Sequence, residues 1–513
     1  MGSVHYSVAI LGGGPAGSIC AALLRRGAPD QTILILEAER FPRHHVGEVS
    51  LPAWAPVLER AGILDALDQA TAIKKAGVIF NWGPKDAPET WTADFREHHI
   101  GRPAVSSWHV DRATFDDQLL RHAAGLGATV LEEARVRTVT ARPEGGFEIV
   151  WSTAEQEQRA TADHVVDASG QARFLARHWS LGVQRHADMS NYAMYGYFTE
   201  DGIAQTDWPV AEDERWATIG TCDVGWVWHI PIRPGVVSVG VVTDRETMRS
   251  LGRDGRAEFY RQAIAGCPEI APLLTDARWI GDTPDATEPE SPPRVVSDWS
   301  YRVETLAGPG WFLAGDAAMF VDPILSSGMV LATRGASMAA NALLTQWRHP
   351  QTDLELLRTS YQATYQDLAM AYHRMARVWY GRNLRAETWH WQARRERLRA
   401  GGLALYERDQ DAFTALCLGA VADPLDAAVP EGSRDLRGTE FFSWLSARHL
   451  FQQDLSAHAS WEEAPNADSA RLATRRALMR QWQRLAHARV TPRGVTWQKG
   501  ERYYTNLFRD EWS

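Results

Sequence analysis

The spacing of apolar and polar positions changes several times along this 513-residue chain, and each change marks an element. A short apolar run, Ser7-Val8-Ala9-Ile10-Leu11, breaks at Gly12-Gly13-Gly14-Pro15-Ala16-Gly17. Ser18 to Arg26 then has helical spacing, and Thr32 to Leu36 is apolar again, ending at Glu37. That order predicts strand, tight turn, helix and second strand. Runs alternating with period two, Val224 to Ile232 and Val236 to Val242, predict antiparallel strands. Asp282 to Pro293, rich in Pro, Asp and Glu, reads as a loop. Trp311-Phe312-Leu313-Ala314 is a further short strand, with a helix near Pro323 to Ala332. From Leu354 to Arg399 the chain is aromatic and helical in period. Asp423 to Arg437 reads as a loop, and helices resume at Glu440 to Leu455 and Asp468 to Ala488. There is no internal repeat or low-complexity tract.

The first of these units carries chemistry. Gly12 permits the tight turn, Gly14 lets the backbone approach a pyrophosphate, and Gly17 lets helix and strand pack closely, with Ala16 at the helix start. The helix N-terminus then faces phosphates, and Glu37 can accept from a ribose hydroxyl. Strand, glycines, helix, second strand and acid all fall in order, which makes this a dinucleotide site.

Composition narrows the class. At 513 residues the chain is long enough for two or three domains, and 45% hydrophobic with 23% charged residues is ordinary for a globular protein. A formal charge of −10 argues against nucleic acid as the main partner. No apolar run is long enough to span a bilayer, and the start lacks the basic region of a secretory signal. Cys20, Cys222, Cys267 and Cys417 have no metal-site or disulfide-framework spacing, so no metal is expected and a reducing cytoplasm is the expected location. Tryptophan is the outlier. Nine of the 22 lie beyond residue 340, as helix packing or as an aromatic wall for a flat substrate.

Several motifs resemble those of flavin-dependent halogenases, over about residues 5 to 395. The most diagnostic is Trp226-Val227-Trp228-His229-Ile230-Pro231, a Trp-x-Trp-x-Ile-Pro sequence. Gly315-Asp316-Ala317-Ala318 looks like the second Gly-Asp motif with which flavin monooxygenases hold the ribityl chain, and Val165 to Gly170 matches a third landmark. Arg43 and Arg112 sit where such proteins place FAD-contacting arginines. The resemblance implies an α/β fold: an FAD-binding Rossmann-type, aromatic-hydroxylase-like domain, an inserted antiparallel β-sheet substrate layer, and a mainly helical C-terminal region. The FAD parts would be about 1–80, 100–180 and 295–345, the substrate layer about 81–99 and 181–294, and the helical region 346–513.

By the same resemblance Lys75, in Lys74-Lys75-Ala76-Gly77 before Phe80-Asn81-Trp82-Gly83, takes the place of the catalytic lysine. That lysine hydrogen-bonds hypohalous acid or reacts with it to give a haloamine. Phe320-Val321-Asp322-Pro323-Ile324-Leu325-Ser326-Ser327-Gly328 matches the halide turn: Ser327 and Gly328 amides would hold chloride or bromide, with Pro323 and Gly328 against the flavin. Trp226, Trp228, Ile230 and Pro231 would lie beside the passage of hypohalous acid and keep organic rings from the flavin. Tryptophan halogenases have glutamate just before the serine of this turn; Leu325 stands here, so a phenol, pyrrole or similar ring is the expected substrate, either free or tethered to a carrier protein. Glu387 is a candidate base. Val49, where the family often has serine in Gly-Glu-Ser, is a departure. The implied activity uses reduced FAD from a separate reductase, O2 and halide. A flavin hydroxylase is the rival enzyme, a catalytically silent flavin-binding partner of a biosynthetic assembly the rival of another class.

Overall fold

The structure, a computed structural model, describes residues 4–68, 73–82, 89–95 and 107–380, the last apart from 155, 187–188, 190, 200–213, 253, 287–290, 298–299, 349, 351 and 353, together with 488–491 and 494–497. The strand Val4–Leu11 is its centre. It pairs in parallel with Ile33–Leu36 on one side and with Glu157–Asp167 on the other, and this sheet extends to Thr129–Leu131 and Trp311–Leu313. Val8 to Leu11 and Ile33 to Leu36 are continuously apolar because helices cover the sheet. Helix Pro15–Gly27 packs against helix Ser327–Arg348, in which 18 of 22 residues are buried. A helix apolar nearly all round belongs inside a protein.

A second, nine-stranded sheet lies on this base. Its order runs Trp279–Gly281, Asn191–Thr199, Val236–Asp244, Gly225–Arg233, Glu214–Cys222, Ile73–Trp82, Glu89–Asp94. The expected alternation is present. Tyr195, Trp226, Trp228 and Ile230 face the cavity described below, whereas Met194, Val227, Val239 and Val241 pack with helices Arg245–Ser250 and Arg256–Ala265. Two features depart from the sequence reading. Ile73–Trp82 pairs in parallel with Glu214–Cys222, a junction that hydrophobic spacing does not encode. Ile73–Trp82 and Ser107–His109 also belong to this sheet although they fall within segments assigned to the FAD part.

Helix Leu354–Tyr380 has the expected start. The rest of that stretch, Glu387 and the helices expected at 440–455 and 468–487 lie outside the described residues. Ala488, read as the end of a helix, instead begins a hairpin, Ala488–Thr491 with Gly494–Trp497.

Candidate active site

The turn between Val4–Leu11 and Pro15–Gly27 is shaped by its glycines. Gly12 has φ +106, and a Cβ there would lie 2.4 Å from the Ala168 carbonyl oxygen; one on Gly17 would lie 2.0 Å from that of Gly12. Gly14 differs: the nearest atom to a Cβ is Arg43 Nη2 at 3.6 Å. The backbone there opens on a cavity of about 490 Å³. Gly12, Gly14, Ala16, Glu37 and Arg43 line it, whereas Gly17 is the packing residue behind it. Glu37 ties the turn together, accepting the Gly13 N–H on Oε2 at 2.7 Å and the Glu39 N–H on Oε1 at 2.8 Å.

The two arginines differ in what they already hold. Arg112 is buried and forms a fork to Asp116 at 2.8 Å twice, while Nη1 donates to the Val46 and Gly47 carbonyls at 3.0 and 3.2 Å. It fixes the loop on the cavity's flank and itself lines the cavity. Arg43 lies against Phe41 and Glu39, but its buried Nη1 has no hydrogen-bond acceptor and stands 3.5 Å from Asp116. An orphaned guanidinium N–H, an open glycine backbone and an acid at the end of the second strand fit a dinucleotide.

At the far wall, Gly315 and Asp316 follow the strand Trp311–Leu313, in a turn held by hydrogen bonds with distant tyrosines that no local motif marks. Tyr365, on helix Leu354–Tyr380, accepts the Gly315 N–H at 3.0 Å and donates to the Leu331 carbonyl at 2.7 Å. Tyr361 donates to the Leu313 carbonyl, and Tyr301 to that of Asp316 at 2.6 Å. Burial lifts the Asp316 carboxyl to about 7, against the pull of Arg112. Pro323 and Gly328 face the cavity beside Ser326, which has φ +53 at the junction of turn and helix. Ser327 begins helix Ser327–Arg348 and its side chain is buried, with Oγ 3.4 Å from the Asp322 carbonyl. The first amides of a helix have no intrahelical acceptor, so those of Ser327 and Gly328 can face an anion. Leu325 is buried in the core.

Trp226, Trp228 and Ile230 wall the cavity; Pro231 does not. The two indoles are 5.8 Å apart, and Trp228 lies so close over Gly240 that a Cβ there would be 2.2 Å from it. Trp228 Nε1 donates to Ser238 Oγ at 3.2 Å, and Ser238 stands next to Glu48, which accepts the Tyr197 hydroxyl at 2.6 Å. Burial lifts Glu48 to about 7, the Tyr197 and Ser238 hydrogen bonds opposing it.

Lys75 is set back from this wall, on the same sheet. It is 3% exposed, donates to the Ser50 carbonyl at 3.1 Å and has its Nζ 4.9 Å from the Phe95 ring centre. Ser107 donates to the same carbonyl at 2.8 Å, while Ser50 Oγ accepts the Trp108 N–H at 2.7 Å. Ser107 comes from a segment with no motif of its own and is brought to the lysine by the register Lys75↔Ser107, while Ser50 is held there by its hydrogen bonds with Trp108. Lys74 is less buried.

A dinucleotide cavity walled by a second β-sheet defines a flavoprotein of the FAD-dependent oxygenase kind. The chain belongs to the tryptophan halogenase family, which it matches over residues 7–106 and 97–404, and it is a flavin-dependent halogenase. It is 31% identical to a tryptophan 2-halogenase of Chondromyces crocatus, over 81% of this chain and 76% of that one. It is equally 31% identical to a 1H-pyrrole-2-carbonyl-[peptidyl-carrier protein] chlorinase of Pseudomonas fluorescens, over 67% of this chain and 77% of that one. Among solved structures, the myxobacterial chondrochloren halogenase CndH, described as a new variant of FAD-dependent halogenases, superposes with a TM-score of 0.67 at 27% identity, over 84% of this chain and 99% of that one. The fold class, FAD with halide and O2, and the halogenase activity expected from sequence therefore hold. Flavin-dependent halogenases generally need a flavin reductase. Among the described residues no helix is long and apolar enough to cross a membrane.

Proposed function

We propose that the protein halogenates a phenol, pyrrole or similar electron-rich ring, free or carrier-tethered, with reduced FAD delivered by a separate reductase in the cytoplasm. Bound reduced FAD would supply, with O2 and halide, the hypohalous acid. Gly12, Gly14, Ala16, Glu37, Arg43, Arg112 and Asp316 would hold the cofactor, Arg112 also fixing the loop 46–47. The Ser327 and Gly328 amides would hold the halide beside Pro323. Trp226, Trp228 and Ile230 would bar organic rings while passing a small molecule, and Lys75 would deliver the halogen.

The observation that carries this reading is a lysine buried behind the wall of the flavin cavity, its Nζ donating to the Ser50 carbonyl and lying 4.9 Å from the Phe95 ring centre. Delivery by this lysine would use the lone pair of its amine form. Leu325 supports the substrate class: an apolar residue cannot stabilise positive charge on an attacked ring, so the ring must be activated by its own hydroxyl or nitrogen. The free thiols of Cys20, Cys222 and Cys267 suit a reducing compartment.

The test supplies purified protein with FAD, a generic flavin reductase, NADH and bromide or chloride, and follows small phenols, pyrroles and indoles by mass spectrometry. Halide-dependent incorporation of halogen into phenol or pyrrole is expected. Oxygen insertion without halide would move the protein to the hydroxylases; halogenation of indole alone would overturn the substrate class.

A further inference from the structure

His109 stands beside Lys75 and His229 near His109, with no hydrogen bond of normal geometry at any of their four ring nitrogens, although His109 is 0% and His229 3% exposed. They arrive from different strands. Ile73 pairs with His109 and Lys75 with Ser107, which sets Lys75 and His109 diagonally on one face of that pair. His229 belongs to the strand Gly225–Arg233. A positive charge on it or on Lys75 would disfavour one on His109, whose ring also borders the Pro231 carbonyl. Burial holds both rings neutral: it pushes His229 down to about 4 and His109 well below its ordinary value. A neutral imidazole carries one donor and one acceptor. Leaving such groups unmatched inside a protein is costly, and a small protic molecule would satisfy them.

We infer that His109 and His229 receive hypohalous acid at this cluster and move the proton that its reaction with Lys75 requires. The inference rests on Lys75 being the halogen carrier. In that reaction the amine lone pair forms the N–X bond as the X–O bond breaks, and the O–X electron pair leaves with hydroxide. Hydroxide takes up one proton and the amine nitrogen releases one, giving water and a haloamine with no further oxidant. A neutral imidazole can accept the amine proton on one nitrogen while donating from the other to the departing oxygen. The pair does for the lysine what a general acid–base does elsewhere, a contribution typically of about 10²–10⁴-fold.

The experiment needs no organic substrate. Holoprotein given one equivalent of reduced FAD, with O2 and bromide, is desalted, and the oxidising equivalents it retains are titrated with iodide while intact-protein and peptide mass spectrometry locate bromine. Hypobromite that escapes is trapped with a cyclic 1,3-diketone. His109→Phe and His229→Phe are expected to lower bromine on Lys75 by about 10²-fold and to raise trapped hypobromite correspondingly. FAD binding, read by flavin fluorescence quenching, should be unchanged. His109→Gln and His229→Gln, which keep a donor and an acceptor, should recover part of the capture and cover the case in which a phenylalanine variant fails to fold. Unchanged bromine on Lys75 in all four folded variants would overturn the inference. Absence of bromine on Lys75 in the wild type would instead overturn the lysine reading beneath it.

Discussion

Asp316 is a carboxyl whose place suits the cofactor better than it suits the empty fold. Burial raises it from 3.8 to about 7, so its contribution to folding stability is full below the unfolded value and lost as pH rises through about 7. Asp316→Asn, neutral at every pH, should therefore raise the melting temperature of FAD-free protein at pH 8. The gain should vanish below about pH 4, where the wild-type group is protonated in both states. FAD affinity should fall in the same variant. Thermal melts across pH with a flavin titration check both, and a gain that grew toward acid would contradict the burial explanation. Tyr365→Phe tests the neighbouring hydroxyl. Leaving the Gly315 N–H and the Leu331 carbonyl without their partner should cost about 1–3 kcal/mol by chemical denaturation, and should weaken FAD binding through the Gly-Asp turn. Asp316 was legible in sequence because its motif is local; Tyr365 was not, because its partners lie 50 and 34 residues away.

Within the strand–turn–helix unit the glycines divide by what surrounds them. A Cβ on Gly17 meets backbone at 2.0 Å, whereas one on Gly14 meets only the tip of Arg43 at 3.6 Å. Gly17→Ala should therefore lower both the melting temperature and FAD binding. Gly14→Ala should fold with a near-normal melting temperature and lose FAD affinity, read by flavin fluorescence. Equal effects on folding would contradict the division. This unit was readable because each constraint acts within a few residues. The Trp226–Pro231 strand was readable for the same reason: period two alone assigns both indoles to one face. The parallel junction of Ile73–Trp82 with Glu214–Cys222 was not, since pairing between distant strands leaves no mark on local spacing. For that reason Lys75 could be named by its motif but Ser107 and His109 could not, since only the register of their strand against Ile73–Lys75 brings them to it.

On the proposed reading the molecule as a whole separates two tasks. The parallel sheet and helices Pro15–Gly27 and Ser327–Arg348 build the cofactor cavity, and the mixed sheet closes it with Trp226 and Trp228. Lys75 belongs to that same closing sheet yet does not line the cavity. Such an arrangement lets an oxidant be made in one place and used in another, so that the position of the ring, not its reactivity alone, decides which carbon is halogenated. The halves should be separable by one substitution. Lys75→Ala, assayed with reduced FAD, O2, bromide and a phenol or pyrrole that the wild type halogenates, should lose halogenated product while hypobromite trapped outside the protein is maintained or rises. Product formed at the wild-type rate by Lys75→Ala would contradict delivery by this lysine.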